Sequence, residues 1–205
     1  MASSREWDER FRTGDHASES PDPFLETSRR YWGLLPGRDP LVSPSDPLRA
    51  IDIACGAGRH AVRLAAAGFH VRAVDFSAQA LRRADGLARS RGLSIETVLQ
   101  DLETGNADLG HELFDLAVVF FYLHRPLFPV LKKCLKPGGL LVYKTYSVDQ
   151  LRHPGGPRNR MYMLEHNELL NAFSGFRVLR YEEEWEEKGT AALIAQKYEA
   201  RPGPD

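Results

Sequence analysis

From Leu48 onward, apolar runs of strand length alternate with amphipathic stretches of helix length. No other feature constrains the fold as strongly. "LRAIDIA" (48–54), "FHVRAVDF" (69–76), "LSIETVLQD" (93–101), "LFDLAVVFFYL" (113–123) and "LLVYKTY" (140–146) read as strands. The fourth run is apolar throughout, as a central strand buried on both faces must be. Between them, "GRHAVRLAAAG" (58–68) predicts a helix closed by Gly68. "SAQALRRADGLARSRG" (77–92) predicts another, capped by Ser77 and ended by Gly92. "RPLFPVLKKCLKPGG" (125–139) predicts a helix that stops at Pro137. A last helix over "LEHNELLNAFSG" (164–175) precedes two closing strands, 176–185 and 190–198. The pattern specifies an α/β, doubly wound, mostly parallel sheet with helices on both faces.

The chain has 205 residues, enough for one core and rarely two. Residues 1–47 read as a helical appendage on the main domain, 48–205: Trp7 and Phe11 stand at i, i+4, and Phe24, Leu25, Tyr31, Trp32 and Leu35 recur at helical intervals. A net charge of −1 gives no bulk attraction to nucleic acid or anionic lipid, so an extended nucleic-acid footprint is not expected. No apolar run has the length of a membrane span, and "MASSREWDERFR" lacks the apolar centre of a signal peptide. Cys55 and Cys134 show neither paired nor metal-ligand spacing, so no metal site is expected and a cytoplasmic setting fits best.

In such a sheet, ligands bind beyond the carboxyl ends of the strands, where the strand order reverses. The first strand runs into "DIACGAGR", in which Gly56 supplies a positive φ, Gly58 admits close backbone approach, and the next helix offers free N–H groups. Arg59 is the one cation near this loop. The second strand ends in Asp75, 23 positions after Asp52, near the offset at which an acid meets a ribose hydroxyl pair. The third ends in Asp101, placed to accept from an exocyclic amine, with Phe76 and Leu102 flanking a flat ring; a simple turn role for Asp101 is an equal rival. Three acids around one crevice suit a cationic, ribose-bearing ligand better than a pyrophosphate. S-adenosylmethionine carries the ribose, the amine-bearing ring and the positive charge.

"DIACGAGRHAVRLAAAGFHVRAVDFS", "QDLE", "FDLAVVFFYLHR" and "LKPGGLLVYKTY" resemble, in this order, the motifs of class I S-adenosylmethionine-dependent methyltransferases. The resemblance covers about residues 48–197. It implies a Rossmann-like, seven-stranded sheet whose last strand inserts antiparallel. It further implies that Asp52, Ala54, Gly56 and Gly58 surround the methionine part, with Asp52 acting directly or by shaping the loop. By the same resemblance Asp75 meets the ribose, Asp101 the adenine, and Phe120 lends its backbone beside the cofactor. Within the class, "GRH…LAAAGFHVRAVD" and "WDERF" are most similar to the tellurite-resistance and thiopurine-type small-molecule enzymes, which implies an N-terminal lid.

On the acceptor side, "FFYLHR" projects Tyr122, His124 and Arg125 from the fourth strand, with His124 the best base candidate; a purely connecting role for His124 and Arg125 is equally open. The loop after the fifth strand adds Arg152, His153, Arg158 and Arg160, which suit a small, anionic or soft acceptor; a solvated loop with scattered charges is at least an equal rival for any single arginine. Where amino-methylating enzymes carry a DPPY-type tetrapeptide, "FFYL" stands instead. That departure lowers the odds for nucleobase amino groups and leaves RNA or protein acceptors open. Two other rivals are a nicotinamide-dependent oxidoreductase, against which Asp52 and "LKPGG" count, and a non-catalytic cofactor-binding module.

Overall fold

The computed structural model describes residues 19–35, 47–105 and 107–198. The expectations placed on Trp7, Phe11 and the "WDERF" lid lie outside these residues. Helix α1 (Pro23–Ser28) begins at Asp22, whose carboxylate accepts from the Phe24 N–H, and runs into a 3-10 turn, Arg29–Leu34. Then follow β1 (Arg49–Ile53), α2 (Arg59–Ala65), β2 (His70–Asp75), α3 (Ala78–Ser90) and β3 (Glu96–Leu99). The second half holds β4 (Phe114–Phe120), α4 (Leu127–Cys134), β5 (Leu135–Tyr146), α5 (Glu168–Ala172), β6 (Phe176–Glu184) and β7 (Thr190–Lys197).

The seven strands form one sheet in the order β3-β2-β1-β4-β5-β7-β6. The pairs from β3 through β5 are parallel, while β7 inserts antiparallel between β5 and β6. Strand order therefore reverses between β1 and β4, which fixes the crevice in which a ligand can sit. Every residue of β4 is buried, as its unbroken apolar run requires. One face packs Ile51, Ile53, Val119 and Tyr143 against α4 and α5; the other packs Ala50, Val118 and Val142 against α2 and the 23–35 segment. Among the described residues no helix is long and apolar enough to cross a membrane.

Three element ends differ from the sequence reading. Helix α4 stops at Cys134, before Pro137, and Leu135 already pairs with Phe114. The residue before a proline is biased away from helix, and the Lys136 ammonium is drawn to the buried Asp115 carboxylate at 2.9 Å. Strand β4 ends at Phe120 because Phe121 turns to φ +55°, so Phe121, Tyr122 and Leu123 leave the sheet. The last helix shrinks to Glu168–Ala172, since Leu164 bridges to Ser147 instead.

Candidate active site

The turn after β1 holds Ala54, Gly56 and Gly58 in the left-handed region, at φ +54°, +54° and +81°. A non-glycine residue there is strained, and Phe121, across the reversal point just past β4, repeats the strain. Two such residues flanking one crevice mark it as the place where the fold spends stability on geometry. The loop is fastened from β2: Asp75 Oδ2 accepts from the Gly56 N–H at 2.8 Å and Oδ1 from the Ser77 N–H at 2.9 Å.

Asp52 is buried at the end of β1. Its Oδ2 accepts from the Ala61 N–H at 2.9 Å in the first turn of α2, so within the fold it shapes the loop. Burial, helped by the negative charge of Asp75, pushes its carboxyl up to about 8, against the Ala61 N–H and Arg59. The raised value means that the stability from protonated Asp52 is full below the ordinary 3.8 and is lost as pH rises through about 8. Asp52→Asn keeps an oxygen for Ala61 and has no carboxyl to hold protonated, so it is expected to be more stable than the native protein at neutral pH and to lose the decline that runs through about 8. Asp52→Ala leaves a buried N–H unpaired and is expected to cost about 1–3 kcal/mol. Urea denaturation of both variants from pH 5 to 9, a range that spans the ~8 midpoint, tests this pair of outcomes.

A Cβ at Gly58 would lie 2.5 Å from the Ala84 Cβ of α3, so the missing side chain serves the packing of α3 on the loop. Leu102 is buried and Phe76 half-buried past the ends of β3 and β2. Asp101 is exposed and accepts from the Glu103 N–H at 2.9 Å, forming the turn that was its rival role. The Phe120 ring stacks on His60 at 4.1 Å.

Past the end of β4 the expected side chains diverge. Arg125 makes a two-point pair with Glu168, at 2.6 and 2.8 Å, and donates to the Met161 and Met163 carbonyls. It braces α5 and the preceding loop and does not face an acceptor, a correction to the sequence reading. Arg158 donates to the Leu151 and His153 carbonyls of its own loop, and Arg160 pairs with Glu165 at 2.8 Å. Both exposed guanidinium groups thus bond within or next to their own loop. His124 is half-buried, with no hydrogen-bond partner for its imidazole among the described residues. The Tyr122 hydroxyl is pushed well above its usual range by burial and by Glu103, Asp101 and Asp75. Glu103 faces that hydroxyl without meeting hydrogen-bond geometry.

Among the described residues, the buried side-chain oxygens with no partner are Tyr122 Oη, Ser147 Oγ and Gln150 Oε1. All three lie just past the carboxyl ends of β4 or β5, on the edge that carries the glycine loop. Orphaned buried oxygens are costly, and their gathering at one edge is what a ligand site predicts.

One group escapes sequence reasoning altogether. His60 Nε2 accepts the Asp22 N–H at 3.1 Å, and the Asp22 carboxylate holds Lys144 Nζ at 3.1 Å. Burial, with Arg59 adding, lowers His60 to about 3, so it is neutral and its accepting nitrogen is unprotonated. These partners stand 38 and 122 positions apart, with no spacing to reveal them.

Residues 50–139 match the model of a family described as a methyltransferase domain. The strand order and the glycine loop after β1 agree with that match. More particularly, the chain is similar to a probable S-adenosyl-L-methionine-dependent methyltransferase TehB of Haemophilus influenzae, 25% identical over 142 residues, 67% of this chain and 49% of the relative. A putative methyltransferase of Geobacillus sp. (strain WCH70) is 32% identical over 114 residues, 51% of this chain and 45% of that one. The crystal structure of TehB from Haemophilus influenzae shares the fold, with a TM-score of 0.68 at 16% identity, over 93% of this chain and 67% of that one. The chain spans about half the length of the curated relatives it matches.

Proposed function

We propose that the chain transfers the methyl group of S-adenosylmethionine to a small acceptor at the carboxyl edge of β1, β2 and β4. The observation that carries this reading is the convergence of the Asp75-fastened glycine loop and the orphaned Tyr122, Ser147 and Gln150 oxygens on one edge. In this reading Asp75 holds the ribose hydroxyls, Asp101 leaves its turn role to meet the adenine amine, and Phe76 and Leu102 flank the ring. Ala54, Gly56 and the Phe120 backbone line the methionine end, with Arg59 beside it. The bound cofactor supplies an electrophilic methyl carbon on a sulfonium. The protein positions the acceptor against that carbon, and orientation of this kind supplies much of the rate. His124, with its imidazole uncommitted, takes a proton where the acceptor carries one.

Residues 1–47 form the appendage that covers the site in this reading, the acceptor is a small anionic or soft nucleophile, and the setting is cytoplasmic. Calorimetric titration with S-adenosylhomocysteine, NAD and NADP tests the cofactor directly. Only the first is expected to bind. Asp75→Ala is expected to weaken that binding by about 1.5–3 kcal/mol, the scale of hydrogen bonds to a charged group. Tight NAD binding, or an unchanged affinity in Asp75→Ala, would overturn the assignment.

A further inference from the structure

The arginines that were to receive an anionic acceptor are committed elsewhere, yet two other cations converge beside the end of β4. Lys188, in the β6–β7 hairpin, holds its Nζ 4.5 Å from the Phe121 ring centre and 5.1 Å from that of Tyr146. The Arg59 guanidinium lies 6.0 Å from the same Phe121 ring. Neither cation has a carboxylate partner among the described residues; the Arg59 side chain otherwise reaches only the Ser20 carbonyl, at 3.5 Å. The neighbouring Glu184 is spent on backbone, accepting from the N–H groups of Glu186, Glu187 and Lys188. That clamp stiffens the hairpin and fixes where the lysine starts. Glu186 and Glu187 are exposed and form no ion pair with Lys188.

The rings are held as firmly. Phe121 and Tyr146 stand 5.2 Å apart at 51°, both half-buried. Phe121 adopts its φ of +55° with its N–H donating to the Lys144 carbonyl at 2.8 Å. A bulky residue rarely takes that conformation, and strain of this kind is kept where it places a working group. The strain puts the ring one residue past Phe120, at the methyl-bearing end of the crevice in the reading above.

We infer that this notch of two aromatic rings and two uncommitted cations receives the acceptor, and that the acceptor is a planar aromatic anion. Its flat body lies on Phe121 and Tyr146 in the place Lys188 now covers, and its charge is shared by Lys188 and Arg59. The inference rests on the methyltransferase reading for the word acceptor, but the notch stands on its own geometry. Lys188 is exposed on a hairpin, so replacing it leaves folding and the cofactor loop untouched.

The test titrates 2-naphthoate, its uncharged isostere 2-naphthamide, and the non-aromatic cyclohexanecarboxylate into the protein, with and without saturating S-adenosylhomocysteine. 2-Naphthoate is expected to bind at least tenfold tighter than either control and to weaken as salt rises. Lys188→Met should cost that binding tenfold or more, Lys188→Glu more still, and Lys188→Arg less than threefold, all with S-adenosylhomocysteine affinity unchanged. Absence of 2-naphthoate binding, equal binding of the amide or the cyclohexane acid, or indifference to Lys188→Met would overturn the notch. Failure of S-adenosylhomocysteine to bind would instead remove the cofactor reading, and the titration of the protein alone would still judge the notch.

Discussion

Gly58→Val is expected to lower the melting temperature by on the order of 10 °C and to abolish measurable S-adenosylhomocysteine binding. Two costs add. At φ +81° a β-branched residue loses about 1–3 kcal/mol to backbone strain. Its Cβ would also stand 2.5 Å from the Ala84 Cβ and 2.9 Å from the Ala84 Cα, and backbone cannot swing aside as a side chain can. Overpacking of this kind costs a further ~1–3 kcal/mol. For a chain of this size each kcal/mol is about 2–4 °C. Helix α3 must shift or the loop must open, and an opened loop lets go of Asp75. The double variant Gly58→Ala with Ala84→Gly separates the two costs. Removing the Ala84 methyl relieves part of the collision and leaves the strain, so the pair should be less destabilised than Gly58→Ala alone. If the two changes simply add, the collision with α3 is not the cause.

The features legible in the sequence are those that depend on neighbours along the chain. Alternating runs fixed the parallel sheet, and the resemblance supplied the antiparallel β7. The glycine loop and Asp75 were visible because a strand, a turn and a helix N-terminus follow one another within a few residues. The direction in which a side chain points after leaving its strand was not legible. Phe121 turns the chain left-handed at the end of β4, so Arg125 lands on Glu168, 43 positions away. No spacing rule connects those two. Arg158 fails as an expectation for a related reason: a turn-rich loop has many unpaired carbonyls, and a guanidinium within it satisfies them first. No spacing singles out Lys188, and only the folded hairpin shows Glu184 occupied by backbone and the lysine lying on two rings. At Gly58 the need for glycine was legible, and the contact with Ala84 of α3 that also requires it was not.

The second large effect is expected on acidification, and it originates at His60. The ring is 4% exposed, stacked on Phe120, and accepts the Asp22 N–H through Nε2. Burial and the Arg59 charge hold it down at about 3, against an ordinary 6.5. A base lowered in the folded state contributes stability that is complete above 6.5 and lost as pH falls toward 3, because the unfolded chain takes up the proton first. Across the two units from 6.5 to 4.5 the loss is about 2–3 kcal/mol, at roughly 1.4 kcal/mol per unit. The Asp22 carboxylate beside the ring works the other way, but it comes after burial and Arg59 and is already held by Lys144 and the Phe24 N–H. A proton on Nε2 removes the acceptor for Asp22, so the segment led by α1 should loosen from α2 before the sheet unfolds. Asp52 pulls the other way over part of this range, since its raised value favours folding as pH falls. The measurement is therefore a difference: urea midpoints of the native protein and of His60→Gln at pH 7.0 and 4.5, a window that brackets the falling stability. The Asp52 contribution is common to both and cancels. Loss of the stack on Phe120 lowers the variant by a similar amount at each pH, so only His60 changes the slope. The native protein should fall more steeply toward acid than His60→Gln, and amide exchange in residues 23–35 should quicken first. Parallel slopes would mean that His60 keeps its proton balance on folding, and that Asp22 is held to α2 by something other than a neutral ring.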